Sequence, residues 1–294
     1  MVGAASAQVT ISGSIGVGIQ NTMANSAAKF HLTDADINFS GSEDLGGGLS
    51  ISAATSISME NLRGARNAAA DDGTNANGAD GVTNNNTTLT LAGGFGSVYY
   101  KNVLSGAIKM GDISVEDDMS DKTGGYSTVN VIGYGSPEII PGLTVGAEWA
   151  GGDWCSTAAA VTATGCTLGK MTDTAASGTP TLLMNYASGP LSVYLDQDPN
   201  KAKGWDLRVK YDLGVAQVTV RASKDKQQEF GFSMPMGAMT VDVRTASLDV
   251  SGTAKKVNGI GLKYALSKQT SATFGYVSAK GAGNNYRLNL VKAF

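Results

Sequence analysis

One histidine and two cysteines occur in the 294 residues, and that scarcity removes most of the chemistry by which enzymes are recognised. His31 has no second imidazole with which to share a metal, and Cys155 and Cys166 with one distant histidine do not make a tetrahedral zinc site. A base beside a serine or carboxylate is equally short of candidates, so His31 reads as a plain polar strand residue and catalysis is not expected. Charged residues are 16% of the chain and the formal net charge is -3, which leaves no basic stripe for a nucleic acid to follow. Proline is scarce at 6 residues, and no apolar run approaches the roughly 20 residues of a membrane-spanning helix. That last absence leaves strands open as a way across a bilayer, because a barrel hides its lipid-facing residues at every second position.

What is abundant is alternation, together with glycine at 39 residues. From Val9, the apolar Val9, Ile11, Ile15, Val17 and Ile19 interleave with Thr10, Ser12, Ser14 and Gln20, the period of a strand with one wet face. The pattern returns at Leu49 to Met59, at Leu207, Val209 and Tyr211 against Asp206, Arg208 and Lys210, at Met239 to Arg244, and at Ile260 to Leu266. Short turn-rich connections, such as Glu43 to Gly48, Gly93 to Gly96, Asp212 to Gly214 and Ser267 to Thr270, alternate with long polar ones at Asn61 to Asn86, Val103 to Ser127 and Gly151 to Thr179. Tight turns on one side and long loops on the other are the signature of a transmembrane antiparallel barrel, and the hairpins sum to about sixteen strands. A soluble β-sandwich is the alternative, since it too alternates. Charges deep within the wet faces favour a water-filled lumen, and Tyr134, Trp149, Tyr186, Tyr211, Tyr264 and Tyr276 near strand ends favour interfacial girdles.

Several segments, in order, resemble the trimeric general porins of Gram-negative bacteria, of the β-proteobacterial and neisserial type. They are Ile37 to Leu49 with its Gly41-Ser42-Glu43-Asp44-Leu45-Gly46-Gly47-Gly48-Leu49 turn, Leu89 to Val98, Tyr134 to Pro137, Gly261 to Thr270, and the closing Tyr286 to Phe294. The resemblance implies an outer-membrane passive diffusion channel: a sixteen-stranded barrel, a homotrimer, a third loop near residues 103–127 folded into the lumen, and a terminal Phe294 read by the assembly machinery. It also implies contact with the lipid bilayer and lipopolysaccharide. Where the family usually has Gly-Arg after Val98-Tyr99-Tyr100, this chain has Lys101-Asn102, so one expected wall arginine is absent, and the third loop lacks the family's Pro/Phe/Gly motif. A substrate-selective channel and a non-channel surface adhesin are the rival functions.

Met1 to Ala7 ends in Ala5-Ser6-Ala7, the small-residue pattern of a signal cleavage site, so residues 1–7 are expected to be a leader remnant and 8–294 a single barrel. Cys155 and Cys166 read as a disulfide in an external loop, with a free-thiol pair as the alternative. Acidic clusters at Asp71-Asp72 and from Asp112 through Glu116, Asp117 and Asp118 to Asp121 read as solvated loop charge, with calcium as the alternative and no other cofactor expected. The second cluster falls in the connection that the resemblance makes the constriction loop. Arg208, Lys210, Arg221, Arg244, Lys263 and Arg287 share wet-face parity. They are expected to be unpaired cations on the lumen wall opposite those acids, with a slight lean toward anions.

Overall fold

The computed structural model describes residues 8–22, 25–59, 83–105, 127–150, 180–197, 204–224, 228–250, 253–279 and 283–294. They form sixteen strands. The first eight are β1 (Gln8–Thr22), β2 (Asn25–Gly46), β3 (Leu49–Ser58), β4 (Thr83–Gly93), β5 (Gly96–Ser105), β6 (Ser127–Gly135), β7 (Leu143–Ala150) and β8 (Thr181–Ser188). The rest are β9 (Leu191–Gln197), β10 (Trp205–Asp212), β11 (Gln217–Ser223), β12 (Gln228–Met236), β13 (Met239–Val250), β14 (Thr253–Ala265), β15 (Thr270–Ala279) and β16 (Gly283–Ala293). Each strand pairs antiparallel with its sequence neighbours, and β16 returns to β1 to close the cylinder. Closure removes the sandwich as an alternative, because no strand keeps an open edge.

The turns explain why the hairpins form where they do. At the β2–β3 joint Asp44 Oδ1 accepts from the Gly46 amide at 2.8 Å, and at β10–β11 Asp212 Oδ1 accepts from the Gly214 amide at 2.7 Å. Gly46 and Gly214 follow with φ of 79° and 80°, a left-handed conformation that side chains resist. All joints from an even strand to the next odd one lie at this end of the cylinder. The longest stretches of sequence between strands, 59–82, 106–126 and 151–180, follow the odd-numbered β3, β5 and β7, whose last residues stand at the other.

The seam joins the two ends of the chain. Gly13 and Phe294 exchange backbone hydrogen bonds in both directions, at 3.0 and 2.9 Å, and the Ala293 amide donates to the Gln269 carbonyl at 2.7 Å. The Phe294 ring lies where a side chain on Gly13 would be.

Exposure tells the two faces apart. Ile132 is 59% exposed while Val131 beside it is 6%, and Leu288 is 50% exposed while Asn289 is 6%. Side chains diverge on the convex side of a cylinder and crowd on the concave side, so the exposed apolar parity is the outer face. Val9, Ile11, Phe30, Leu182, Val220, Phe230 and Leu290 share that exposure. At about 25 cal/mol for each Å² of apolar surface, such a mantle is unfavourable in water and favourable in lipid. Tyr134, Tyr186, Tyr211 and Tyr264 sit within two residues of the short-turn ends of β6, β8, β10 and β14. The Tyr134 hydroxyl donates to the Phe95 carbonyl at 2.7 Å, anchoring its ring at that rim.

Candidate functional site

Register decides which inner-face charges become neighbours. On β10 the inward parity is Asp206, Arg208 and Lys210. Arg208 stands opposite Arg221 of β11 and Tyr194 of β9, while Asp206 stands opposite Asp196 of β9. Arg221 in turn stands opposite Glu229 of β12, and Arg244 of β13 lies one pleat away, opposite Gly231. Five adjacent strands thus contribute to one patch.

Its charges alternate. Asp206 Oδ1 accepts from Arg208 Nε at 3.0 Å, while Asp206 Oδ2 accepts from Arg221 Nε at 2.7 Å and also meets Arg221 Nη2. Asp196 lies 3.6 Å from Arg208 Nη2. Glu229 is nearly buried and serves two cations, meeting Arg244 Nε and lying 3.9 Å from Arg221 Nη1. Arg208 also lies over the Tyr194 ring, 4.7 Å from its centroid, a cation–π contact that fixes the guanidinium against the wall.

A second group continues the row on β5 to β7. Tyr99, Gly133 and Glu148 are in register across the three strands. A side chain on Gly133 would collide with the Tyr99 ring, so the glycine is what lets the ring cross β6 and donate its hydroxyl to Glu148 Oε1 at 2.7 Å. Lys101 pairs with the same oxygen and lies 5.6 Å from the Tyr99 centroid.

The sequence-predicted cations therefore separate. Arg208, Arg221 and Arg244 come together. Lys210 and Lys263 each lie two residues from the short-turn ends of β10 and β14, and Arg287 stands three strands from Arg244, with its Nε donating to Gln20 Oε1 of β1 at 2.6 Å. The expectation of unpaired cations is corrected for the three clustered arginines, because carboxylates from the same wall neutralise them. That removes them as a reason for leaning toward anions. Beside the position where the expected wall arginine is absent, Lys101 supplies a cation, paired with Glu148.

Glu148, Asp196, Asp206 and Glu229, with Tyr99 and Tyr194, are residues of these two groups that sequence reasoning did not single out. Asp206 carried the right signal, since it shares parity with Arg208. Asp112, Glu116, Asp117, Asp118, Asp121, Cys155 and Cys166 lie outside the described residues, as do residues 1–7. His31 lies on β2 with its backbone opposite Gly18.

Chemically, the inner wall carries fixed charge of both signs among hydroxyls and amides, the lining of a wet passage. A family model described as Gram-negative porin matches residues 2–290. Among solved structures the chain is similar to the anion-selective porin from Comamonas acidovorans, at 17% identity and a TM-score of 0.63, covering 98% of this chain and 100% of that one. It is similar also to a triple mutant of the Rhodopseudomonas blastica porin, at 13% identity and a TM-score of 0.62, with 98% and 100% covered. At these identities the structural likeness is one of fold. No curated protein sequence matches the chain.

Proposed function

The chain belongs to the family of Gram-negative porins, channels of the outer membrane, and from that premise we propose that it passes small hydrophilic solutes and ions by passive diffusion, without a catalytic step or a resident cofactor. The observation that carries this reading is the closed sixteen-stranded cylinder with ion-paired charge on its inner face and exposed apolar residues on its outer face. Barrels of about sixteen strands are wide enough to leave an aqueous channel after side chains fill the wall. Charges at the wall act on solutes at short range through water, so sorting is by size first and by charge second.

The working unit in this reading is a homotrimer embedded in lipid, with lipopolysaccharide around its outer rim. Short turns face the periplasm and long connections face outward, as is general for such barrels. The acids from Asp112 to Asp121 belong to an inward third loop and face the arginine wall across the constriction. Phe294 closes the seam and serves as the signal for the assembly machinery.

Single-channel recording in a planar bilayer tests the reading. Stepwise conductance, grouped in threes, is expected; folded, heat-modifiable protein that conducts nothing would overturn it.

A further inference from the structure

The strongest feature left over is the order of the charges on the inner wall. From β9 to β13 they run Asp196, Arg208, Asp206, Arg221, Glu229, Arg244, with sign alternating at each contact. Arg208 meets Asp206 two residues away on its own strand and lies 3.6 Å from Asp196 on the next, so both signs stand within the length of a small solute. The row crosses adjacent strands around the wall, so a monovalent ion passing it meets its own sign beside the opposite one. A solute that carries both signs on neighbouring atoms finds a partner for each at such a pair.

The groups differ in how open they are. The side chain of Glu229 is 2% exposed and its arginines are held around it, whereas Arg208 and Asp196 are 27% and 24% exposed. Their contact at 3.6 Å is also longer than the Arg208–Asp206 bond at 3.0 Å. Arg208 is therefore anchored by Asp206 and by the Tyr194 ring while its Nη2 reaches only loosely to Asp196. An incoming carboxylate can take Arg208 Nη2, and an incoming ammonium can take Asp196, without disturbing the buried pairs. The exchange conserves charge pairing, so it is weak and reversible, as conduction through a site requires.

Resting on the channel reading above, we propose that the Arg208–Asp196 pair is a transit site for small zwitterions, the class of α-amino acids and short peptides. The solute's carboxylate lies on Arg208 and its ammonium on Asp196, with Asp206 and Tyr194 holding the arginine in place. The field of two close opposite charges dies away from the wall faster than that of a single charge, within the Debye length of about 8 Å at physiological salt. Preference for zwitterions is therefore insensitive to moderate salt, unlike preference for a net charge.

Swelling of proteoliposomes containing the folded full-length protein tests this with four probes of nearly one size: alanine, its neutral isomer lactamide, lactate and alaninamide. Alanine is expected to enter about threefold faster than lactamide, the effect of one exposed ion pair. In Asp196→Asn the advantage of alanine is expected to vanish and lactate to gain on alaninamide; in Arg208→Gln it vanishes with the reverse shift. Heat-modifiability shows that each variant is folded, and the double variant Asp196→Asn/Arg208→Gln serves as a second check, passing alanine and lactamide at equal rates. Equal entry of alanine and lactamide in the unaltered protein, or an alanine advantage that survives both single substitutions, overturns the transit site while leaving the channel standing. Failure of lactamide itself to enter overturns the channel.

Discussion

Arg208 and Arg221 stand directly opposite each other on β10 and β11, two like charges in register, and Asp206 makes that arrangement tolerable by giving one carboxylate oxygen to each. Like charges in register across a strand pair are destabilising, so the neighbourhood is stable only as a triad.

Asp206→Asn should therefore be felt twice. The amide keeps the shape but removes the charge that offsets both guanidinium groups, and a hydrogen bond to a charged group contributes about 2 kcal/mol. The urea midpoint of the barrel in detergent should fall, and the reversal potential under a salt gradient should move toward anion preference. An unchanged midpoint would mean that water replaces the carboxylate without loss.

Neutralising Arg208, Arg221 and Arg244 together should move the reversal potential toward cation preference, while neutralising Glu116, Asp117 and Asp118 should move it the other way. Both shifts should weaken in high salt, because screening shortens to about 3 Å at 1 M. If the acidic set changes neither reversal potential nor low-salt conductance, the third connection does not face the arginines.

Gly13 and Phe294 set the seam. A methyl group on Gly13 would collide with the Asp36 carbonyl oxygen and come within 2.6 Å of Phe294 Cζ, so Gly13→Ala should lower the thermal midpoint by an amount equivalent to about 1–3 kcal/mol, as overpacking does. Deleting Phe294 removes one half-exposed ring and the backbone exchange with Gly13. The purified protein should still refold as a barrel in detergent, whereas insertion into the outer membrane of living cells should drop sharply. Normal insertion of the truncated chain would count against an assembly signal.

Cys155 and Cys166 are expected to form a disulfide in the connection between β7 and β8. A loop this short removes on the order of 3 kcal/mol of chain entropy in the simple model, yet barrel stability should hardly respond, because the bridge constrains a connection and not the wall. Mass spectrometry of the unreduced folded protein should find the pair bridged; two free thiols would refute it.

What each strand says locally was legible in its residues. Side chains alternate with a period of two, so the parity of Arg208 against Val209, or of Lys263 against Leu262, followed from the residues alone, and the turn chemistry of Asp44 with Gly46 and Asp212 with Gly214 fixed where hairpins reverse. The strand count and the outward apolar face followed from those two rules. Tertiary structure decided which charges meet. Parity says that Asp206, Arg221 and Glu229 look inward but not at what height, because height depends on the register between strands, which the closed ladder sets as a whole. The same closure brings β16 beside β1, placing Phe294 against Gly13 and Arg287 against Gln20 across nearly the full length of the chain. No local pattern carries a contact of that range. A row of cations expected to stand bare thus became, through register alone, a wall of alternating charge.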